Sequence, residues 1–369
     1  MDSYAHNLHI FFLPMMAPGH MIPMIDIAWK FSTHGAKSTI ITTPANASQF
    51  SQTIKLGREK GLRIEISLVD FPCRESGLPE GCENLSSTTT PQMSVNFLKA
   101  LDFLQNPVGD MLRKAQPDCI VAGGYFWWAT VLASELGIPR VGFYGTGFFP
   151  MCLFQSLRQN KPHEKVDSDY EEFVVPGVPG DIKITRKRLP SIITGDDEHP
   201  LADVMNKAFD SDQSSLGMIV NTFYELEPEY SAHYREAHGV NTWHVGPVSL
   251  LGGRVVDSDG DDECLRWLDS KEPESVVYVC FGSMTFFRTP QLREIAKGLE
   301  ASGREFVWVV RRGERVIEEE WLFGEFQGRG VRRRARELGA AARRAVEEGG
   351  SSEIEFRRLV AEIRRYRCA

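Results

Sequence analysis

The sequence lacks paired cysteines and long apolar runs. Its seven cysteines are scattered and odd in number, without a Cys-x-x-Cys pair, which argues against a disulfide framework and against a zinc site. No apolar run reaches the length that crosses a bilayer, and the first residues lack the pattern of a signal peptide. We therefore expect a cytoplasmic protein with reduced thiols and no stable membrane insertion.

Excess positive charge and the common phosphate-binding motifs are also missing. The formal net charge is −8, which excludes a nucleic acid as the main partner. No Gly-x-Gly-x-x-Gly follows a predicted strand, and no Gly-x-x-x-x-Gly-Lys-Ser/Thr occurs, so nicotinamide dehydrogenases and phosphate-loop ATPases are disfavoured. Asp257-Ser258-Asp259 lies in a Gly/Asp-rich stretch, where a solvated linker is favoured over a metal-binding pair. We expect no metal site.

Short apolar runs alternate with helical patterns along the first 160 residues. The run 8–14 predicts a buried strand. After a Pro/Gly turn, the apolar residues of 21–34 recur at helical spacing. This alternation predicts an α/β fold with a parallel, doubly wound sheet. The segment 160–200 is polar and rich in Pro and Gly, so we expect mostly loop there, with further strands at 216–221 and 242–245.

A chain of 369 residues is long enough for two domains. We predict a first domain over residues 1–248, a linker over 249–262, a partial second α/β domain over 263–330 and C-terminal helices over 331–369. The second domain shows only two convincing strands, fewer than a nucleotide-binding half normally contains. Helix-spaced Arg and Glu in the tail favour surface helices over a basic segment that binds an anion.

His20 is the strongest candidate for chemistry from position alone. It follows the first predicted strand, where the chain turns into a helix, and open α/β sheets bind ligands at that edge. A neutral imidazole there can accept a proton from a substrate hydroxyl. The alternative is a histidine that only fills a turn at the start of a helix. Gly282-Ser283, at the end of a later strand, is weak evidence for phosphate binding because most such pairs are plain turns.

Seven blocks of sequence carry a resemblance to a known family. In chain order they are Gly19-His20-Met21-Ile22-Pro23, Thr42-Thr43-Pro44-Ala45-Asn46, Gly145-Thr146-Gly147-Phe148-Phe149, Asn221-Thr222-Phe223-Tyr224-Glu225-Leu226-Glu227, Val245-Gly246-Pro247, Cys264-Leu265-Arg266-Trp267-Leu268-Asp269-Ser270 and Val277-Tyr278-Val279-Cys280-Phe281-Gly282-Ser283. The chain strongly resembles the plant family-1 UDP-sugar-dependent glycosyltransferases, in which these blocks occur in the same order.

The resemblance implies a GT-B fold, built from two Rossmann-like doubly wound domains, with the C-terminal one truncated here. It implies inverting, metal-independent transfer of a hexose, by default glucose, from a UDP-sugar to a hydroxyl of a phenolic or terpenoid metabolite such as a flavonoid. The UDP-sugar is a co-substrate, no cofactor is needed, and a monomer is expected.

The resemblance also implies a role for each matching residue. His20 matches the catalytic base. Thr146, Gly282 and Ser283 match donor contacts. The acceptor pocket is expected to involve Gly19 and the aromatic residues Phe126, Trp127, Trp128, Phe148 and Phe149. Singly, each of these aromatics is more often plain core; as a set at strand ends, pocket lining is favoured for some of them.

The chain departs from the family at two places. The family places an aspartate beside the histidine, and here that position is Gly123. The donor-binding box, which begins Trp-Ala-Pro-Gln and includes His-Cys-Gly-Trp-Asn-Ser, has no counterpart between Trp321 and Val331. We interpret the second departure as an internal deletion. Three interpretations stay open: an active but impaired transferase, a non-catalytic aglycone-binding protein, and a nonfunctional truncated product.

Overall fold

The protein is described by a computed structural model that covers residues 7–195, 201–252, 263–282, 287, 289–310 and 329–368. The chain divides into two compact units. Unit 1 comprises Met1–Arg254 with Leu338–Ala369, and unit 2 comprises Val255–Glu337. The domain boundaries expected from the sequence stay predictions.

Eleven strands form in the described residues. They are β1 His9–Leu13, β2 Lys37–Thr42, β3 Ile64–Leu68, β4 Cys119–Ala122, β5 Arg140–Tyr144, β6 Glu172–Val174, β7 Lys183–Thr185, β8 Gly217–Val220, β9 Thr242–His244, β10 Val276–Cys280 and β11 Glu305–Val309. Seven of them make the main sheet of unit 1, in the order β3-β2-β1-β4-β5-β8-β9, and every neighbouring pair in it is parallel.

The α-helices of the described residues connect these strands or follow them. They are α1 Pro18–Thr33, α2 Pro44–Ser48, α3 Ser51–Glu59, α4 Pro91–Ala100, α5 Gln105–Ala115, α6 Trp128–Glu135, α7 Phe148–Asn160, α8 Ser191–Thr194, α9 Ala202–Gln213, α10 Pro228–His238, α11 Glu263–Asp269, α12 Thr289–Ala301, α13 Arg329–Val346 and α14 Ser351–Cys368. Strand and helix alternate through most of unit 1, so the doubly wound α/β prediction is confirmed there.

The sheet of unit 1 carries the hydrophobic core. Strand β1 lies between β2 and β4, and its residues Ile10–Leu13 are all buried, as expected for a central parallel strand covered by helices on both faces. Helix α1 starts at Pro18, whose fixed φ suits the first helical position, and not at residue 21 as its apolar spacing predicted. His20 consequently lies in the first turn of α1.

The last helix belongs to the core of unit 1. Phe356, Leu359, Val360 and Ile363 on α14 are each at most 2% exposed. The Phe356 ring packs edge-on against Phe31 of α1, with 4.7 Å between centroids. The apolar stripe at positions i, i+3, i+4 and i+7 is typical of a helix that packs on a core. These packed positions explain why the tail is helical.

The segment 160–200 contains more structure than its composition predicts. Strands β6 and β7 pair antiparallel, with Phe173 opposite Ile184. Phe173 packs with Leu157, Val175 and other apolar residues in a small separate cluster. Turns and irregular chain still make up much of this segment, as expected, but the sequence did not predict the hairpin, because three-residue strands are too short to show a periodic pattern.

The described part of unit 2 has two strands and little core. Strands β10 and β11 pair in parallel, as the sequence predicted. In the part of unit 2 that the structure describes, Phe306 is the only buried hydrophobic side chain, and helix α12 has no buried residue. A segment of this size buries too little surface to form a stable core alone.

Candidate active site

His20 lies at the carboxyl edge of the main sheet. Strand β1 ends at Leu13, α1 begins at Pro18, and the His20 backbone N–H donates to the Ala17 carbonyl at 3.0 Å. No side chain caps this end of α1, and the positive end of the helix dipole lies at this edge of the sheet. The predicted position of His20, after the first strand and at the start of a helix, is confirmed.

The His20 imidazole is held neutral and lacks a partner on one nitrogen. Burial lowers the pKa of His20 below its ordinary value, because a charged ring loses hydration there. Its Nδ1 is buried and has no hydrogen-bond partner among the residues that the structure describes. Tyr125 packs edge-on against the ring, with 6.2 Å between centroids. A neutral ring can accept a proton, but no protein group fixes its tautomer through Nδ1.

Gly123 follows β4 at the same edge of the sheet. Ala122 at the end of β4 is paired with Leu13 at the end of β1, so the two strands deliver Gly123 and the turn before His20 side by side. A Cβ at Gly123 would have only the Phe143 carbonyl oxygen near it, at 3.9 Å. The position is buried, yet it has room for a side chain.

The loop after β5 contacts the first turn of α1. A Cβ at Gly145 would lie 2.8 Å from the Gly19 carbonyl oxygen, so this close approach requires glycine. A cavity of about 290 Å³ adjoins both glycines, and Asn221 and Val248 also line it. Thr146 follows and is exposed at the same edge. The structure therefore brings Gly19 and Thr146 onto the same edge of unit 1.

Glu227 supports the start of α7, and sequence reasoning missed it as a functional residue. Its carboxylate is 8% exposed, and its Oε2 accepts the Phe149 backbone N–H at 2.8 Å. A Cβ at Gly147 would collide with this carboxylate. Glu227 thus occupies the N-terminus of α7, where a negative charge is favourable. The sequence feature that could have pointed to Glu227 is its place in the seven-residue block that begins at Asn221.

A buried ionic network fixes the ends of β4 and β5. The Asp212 carboxylate accepts from Arg140 Nη2 at 2.9 Å and from the Tyr144 hydroxyl at 2.5 Å. Arg140 Nη2 also donates to the Ala122 carbonyl at 2.9 Å. The Arg140 and Asp212 side chains are at most 2% exposed, so these bonds form in a low-dielectric interior. The network holds the strand ends that precede Gly123 and Thr146.

The predicted pocket aromatics do not form one wall. Phe126 and Trp128 are completely buried in the main core, and Phe148 in a second cluster. Trp127 is half-buried, and its Nε1–H donates to Asp102 at 2.9 Å. Phe149 is 38% exposed and packs edge-on against Tyr230. The acceptor-pocket assignment of these five residues, and of Gly19, stays a prediction.

The donor contacts predicted in unit 2 are described only in part. Gly282 is exposed, with φ +76°, after the end of β10. Ser283 lies outside the described residues. The donor roles of Gly282, Ser283 and Thr146 therefore stay predictions. The described residues contain no group of three or more His, Cys, Asp or Glu side chains placed to hold a metal ion, and none of their helices is long and apolar enough to cross a membrane.

Comparisons with known proteins give a consistent result. The chain is 45% identical over 333 residues to the UDP-glucose flavonoid 3-O-glucosyltransferase 7 of Fragaria ananassa, covering 88% of this chain and 66% of that protein. It is 43% identical over 331 residues to the scopoletin glucosyltransferase of Nicotiana tabacum, covering 88% and 69%. The chain thus spans about two thirds of the length of these relatives. No protein-family model matches it.

A solved structure matches most of the chain. The crystal structure of Glycyrrhiza uralensis UGT73P12, complexed with glycyrrhetinic acid 3-O-monoglucuronide, superposes with a TM-score of 0.76 at 37% sequence identity. The superposition covers 91% of this chain and 67% of that chain.

Proposed function

The chain belongs to the plant UDP-dependent glycosyltransferase family and has its GT-B fold class. From this premise we propose that it binds a small phenolic or terpenoid metabolite in unit 1 and transfers a hexose, by default glucose, from a UDP-sugar to one of its hydroxyl groups. Transfer is slow, because the donor-binding box is missing. Two relatives are named for flavonoid and scopoletin glucosyl transfer, which supports a flat aromatic acceptor.

His20 is the proposed base. The acceptor O–H transfers its proton to Nε2 of the neutral ring, because the other nitrogen, Nδ1, is buried, and the oxygen attacks the anomeric carbon as the bond to the UDP oxygen breaks. Attack opposite the leaving group inverts the anomeric centre. The observation that carries this proposal is a neutral, half-buried imidazole at the ligand-binding edge of a parallel sheet. The proton acceptor is then a protein side chain and requires no metal.

We expect this chain to bind the UDP-sugar donor weakly. We assign the donor contacts to Thr146, Gly282 and Ser283, with the UDP-sugar as co-substrate. Diphosphates are held by charge-assisted bonds and backbone N–H groups, and the segment between Trp321 and Val331 lacks the family's donor-box residues. Coverage of about two thirds of the relatives is in line with an internal deletion. We expect UDP to bind weakly.

A non-catalytic, aglycone-binding protein is the second candidate. It is favoured by the unpartnered Nδ1 of His20 together with glycine at position 123. Without a carboxylate on Nδ1, the imidazolium that forms during proton transfer is not stabilised and the tautomer is not selected. The third interpretation is a nonfunctional truncated product that folds poorly.

We propose a cytoplasmic monomer. Four cysteines of unit 1, Cys73, Cys82, Cys119 and Cys152, are buried free thiols. Burial raises the pKa of Cys152 to about 12, which suppresses the reactive thiolate. Such thiols suit a reducing compartment.

Calorimetry with quercetin and with UDP, each titrated into the full chain, tests the proposal. We expect quercetin to bind with a Kd of about 10 µM or lower, and UDP to bind at least about tenfold more weakly. The His233→Ala variant serves as control for His20→Ala, because His233 is a half-buried histidine on α10 that does not line the cavity beside Gly19. Micromolar UDP binding would contradict the weak-donor proposal, and absence of quercetin binding would contradict both candidate functions.

A further inference from the structure

A larger cavity of unit 1 lies at the opposite end of α1 from His20. Its volume is about 600 Å³, within the range of small-molecule sites. Trp29, Lys30 and His34 from the last turns of α1 line one side, and residues 346–357 line another. We propose that this cavity is a binding site for an aromatic carboxylate, distinct from the acceptor site. This proposal does not depend on the proposed function.

The cavity offers apolar walls for the body of such a ligand. Leu62, Leu251 and Val346 come from three separate segments of the chain and are each half-buried. Apolar side chains that stay partly exposed inside a concave site gain free energy when a ligand covers them. A ring system without further polar groups therefore suits these walls.

The charges in the cavity are unequal. Three cationic side chains and two carboxylates line it. The buried Glu353 carboxylate receives Lys30 at 2.6 Å and Arg357 Nε at 3.2 Å. Arg357 also lies 3.9 Å from the second carboxylate, Glu348. These groups compensate one another, which leaves the positive charge of Lys60.

Lys60 is the group that would receive the anion. Its ammonium sits 5.7 Å from the centroid of the Trp29 ring. Within the part of the chain that the structure describes, no carboxylate lies within ion-pairing distance of it. The lysine is exposed at the end of α3. Its ammonium is therefore hydrated when no ligand is bound, and it can turn toward a bound carboxylate. A monoanion would therefore match the charge that stays uncompensated among the described lining residues.

The smaller cavity beside Gly19 has the opposite character. Its lining includes one carboxylate, Asp26, and no cationic side chain. An aromatic carboxylate should therefore prefer the Lys60 cavity to the cavity beside Gly19. A neutral phenol carries no charge that would favour the Lys60 cavity. This contrast allows the two sites to be separated by ligand charge.

Equilibrium dialysis of the full chain with 2-naphthoate tests the site. We expect saturable binding with a Kd of about 1 mM or lower, and about fivefold or more weaker binding to Lys60→Gln. Lys55→Gln is the matched control, because Lys55 is an exposed lysine on the same helix that does not line the cavity. The neutral 2-naphthamide should bind the wild-type chain and Lys60→Gln equally.

Two further measurements locate the site. Saturating quercetin should not displace 2-naphthoate, and Val346→Phe, which fills part of the cavity, should weaken 2-naphthoate binding. The proposal is overturned if 2-naphthoate shows no saturable binding, if Lys60→Gln binds it as tightly as Lys55→Gln does, or if quercetin displaces it. Loss of quercetin binding with retained 2-naphthoate binding would count against the acceptor site only.

Discussion

Lys30 and Glu353 form a buried ion pair that joins the first helix to the last. Lys30 Nζ lies 2.6 Å from Glu353 Oε2, and the two side chains are 6% and 7% exposed. The ammonium also lies over the Phe356 ring, 4.9 Å from its centroid. The pair thus stabilises the packing of α14 on α1, the helix that carries His20.

Removing one member of this pair should destabilise unit 1. In Lys30→Met the Glu353 carboxylate loses its closest cation but keeps Arg357 Nε at 3.2 Å, so the loss of stability should stay below the about 3–5 kcal/mol that a buried charge without any partner costs. The double variant Lys30→Met/Glu353→Met should recover a large part of that loss, because two apolar side chains replace the pair. Urea unfolding, followed by circular dichroism, measures both. A single variant as stable as wild type would show that the pair contributes nothing.

Aspartate at position 123 should change His20 without restoring catalysis. The site has room for a side chain, and a carboxylate near Nδ1 would raise the pKa of His20 by favouring the imidazolium. We expect the NMR titration of His20 in Gly123→Asp to move to higher pH, while the rate of glucosyl transfer stays within about twofold of wild type, because donor binding still limits it. A clear rate gain in this variant would contradict that limit.

His244 should make the protein sensitive to acid. It is 1% exposed, packed against Phe148 and Tyr224, and burial lowers its pKa to about 4. The unfolded chain takes up this proton below a pH of about 6.5, whereas the folded chain does so only near pH 4. Stability is therefore lost as the pH falls through this window, by at most about 3 kcal/mol.

Replacement of His244 by phenylalanine should remove that loss. Urea unfolding of His244→Phe at pH 7 and pH 5 should show a smaller difference between the two pH values than wild type shows. His233→Gln serves as control, since His233 lies half-exposed on α10. Equal pH dependence in wild type and His244→Phe would contradict the assignment.

Glu227 should matter for the start of α7. In Glu227→Ala the Phe149 N–H loses its acceptor, and loss of such a cap costs about 1–2 kcal/mol. Gly147→Ala should be at least as harmful, because its Cβ would collide with the Glu227 carboxylate. The two variants combined should be less than additive, which a double-mutant cycle in urea measures. Glu229→Gln, on the exposed side of α10, should have no effect.

The sequence predicted the core sheet well because its central strands are buried on both faces. Runs such as 10–13 are apolar without interruption, which a surface segment would not be. The start of α1 was placed three residues late, because Pro18 and Gly19 carry no apolar signal. The hairpin of β6 and β7 was not predicted, because its strands are too short to show an alternating pattern. Contacts between distant segments, such as Glu227 with the N-terminus of α7, leave no periodic pattern and required the structure.

The candidate site was predictable only through position and resemblance. His20 could be placed at a strand end from local pattern. The isolation of its Nδ1 could not be predicted, because that depends on every side chain folded around it. The burial of Phe126, Trp128 and Phe148 in the core likewise follows from three-dimensional packing. Aromatic residues at strand ends look the same in the sequence whether their side chains face a ligand or the interior.

Glucosyl transfer from UDP-glucose to quercetin, measured with excess full chain over several hours, tests the role of His20 most directly. The account predicts slow formation of a quercetin glucoside by the wild-type chain and by His233→Ala. For His20→Ala it predicts a rate that is lower by a factor of about 100 or more, the usual contribution of a positioned base. Equal rates for His20→Ala and the wild-type chain would contradict it, and so would the absence of glucoside in every sample.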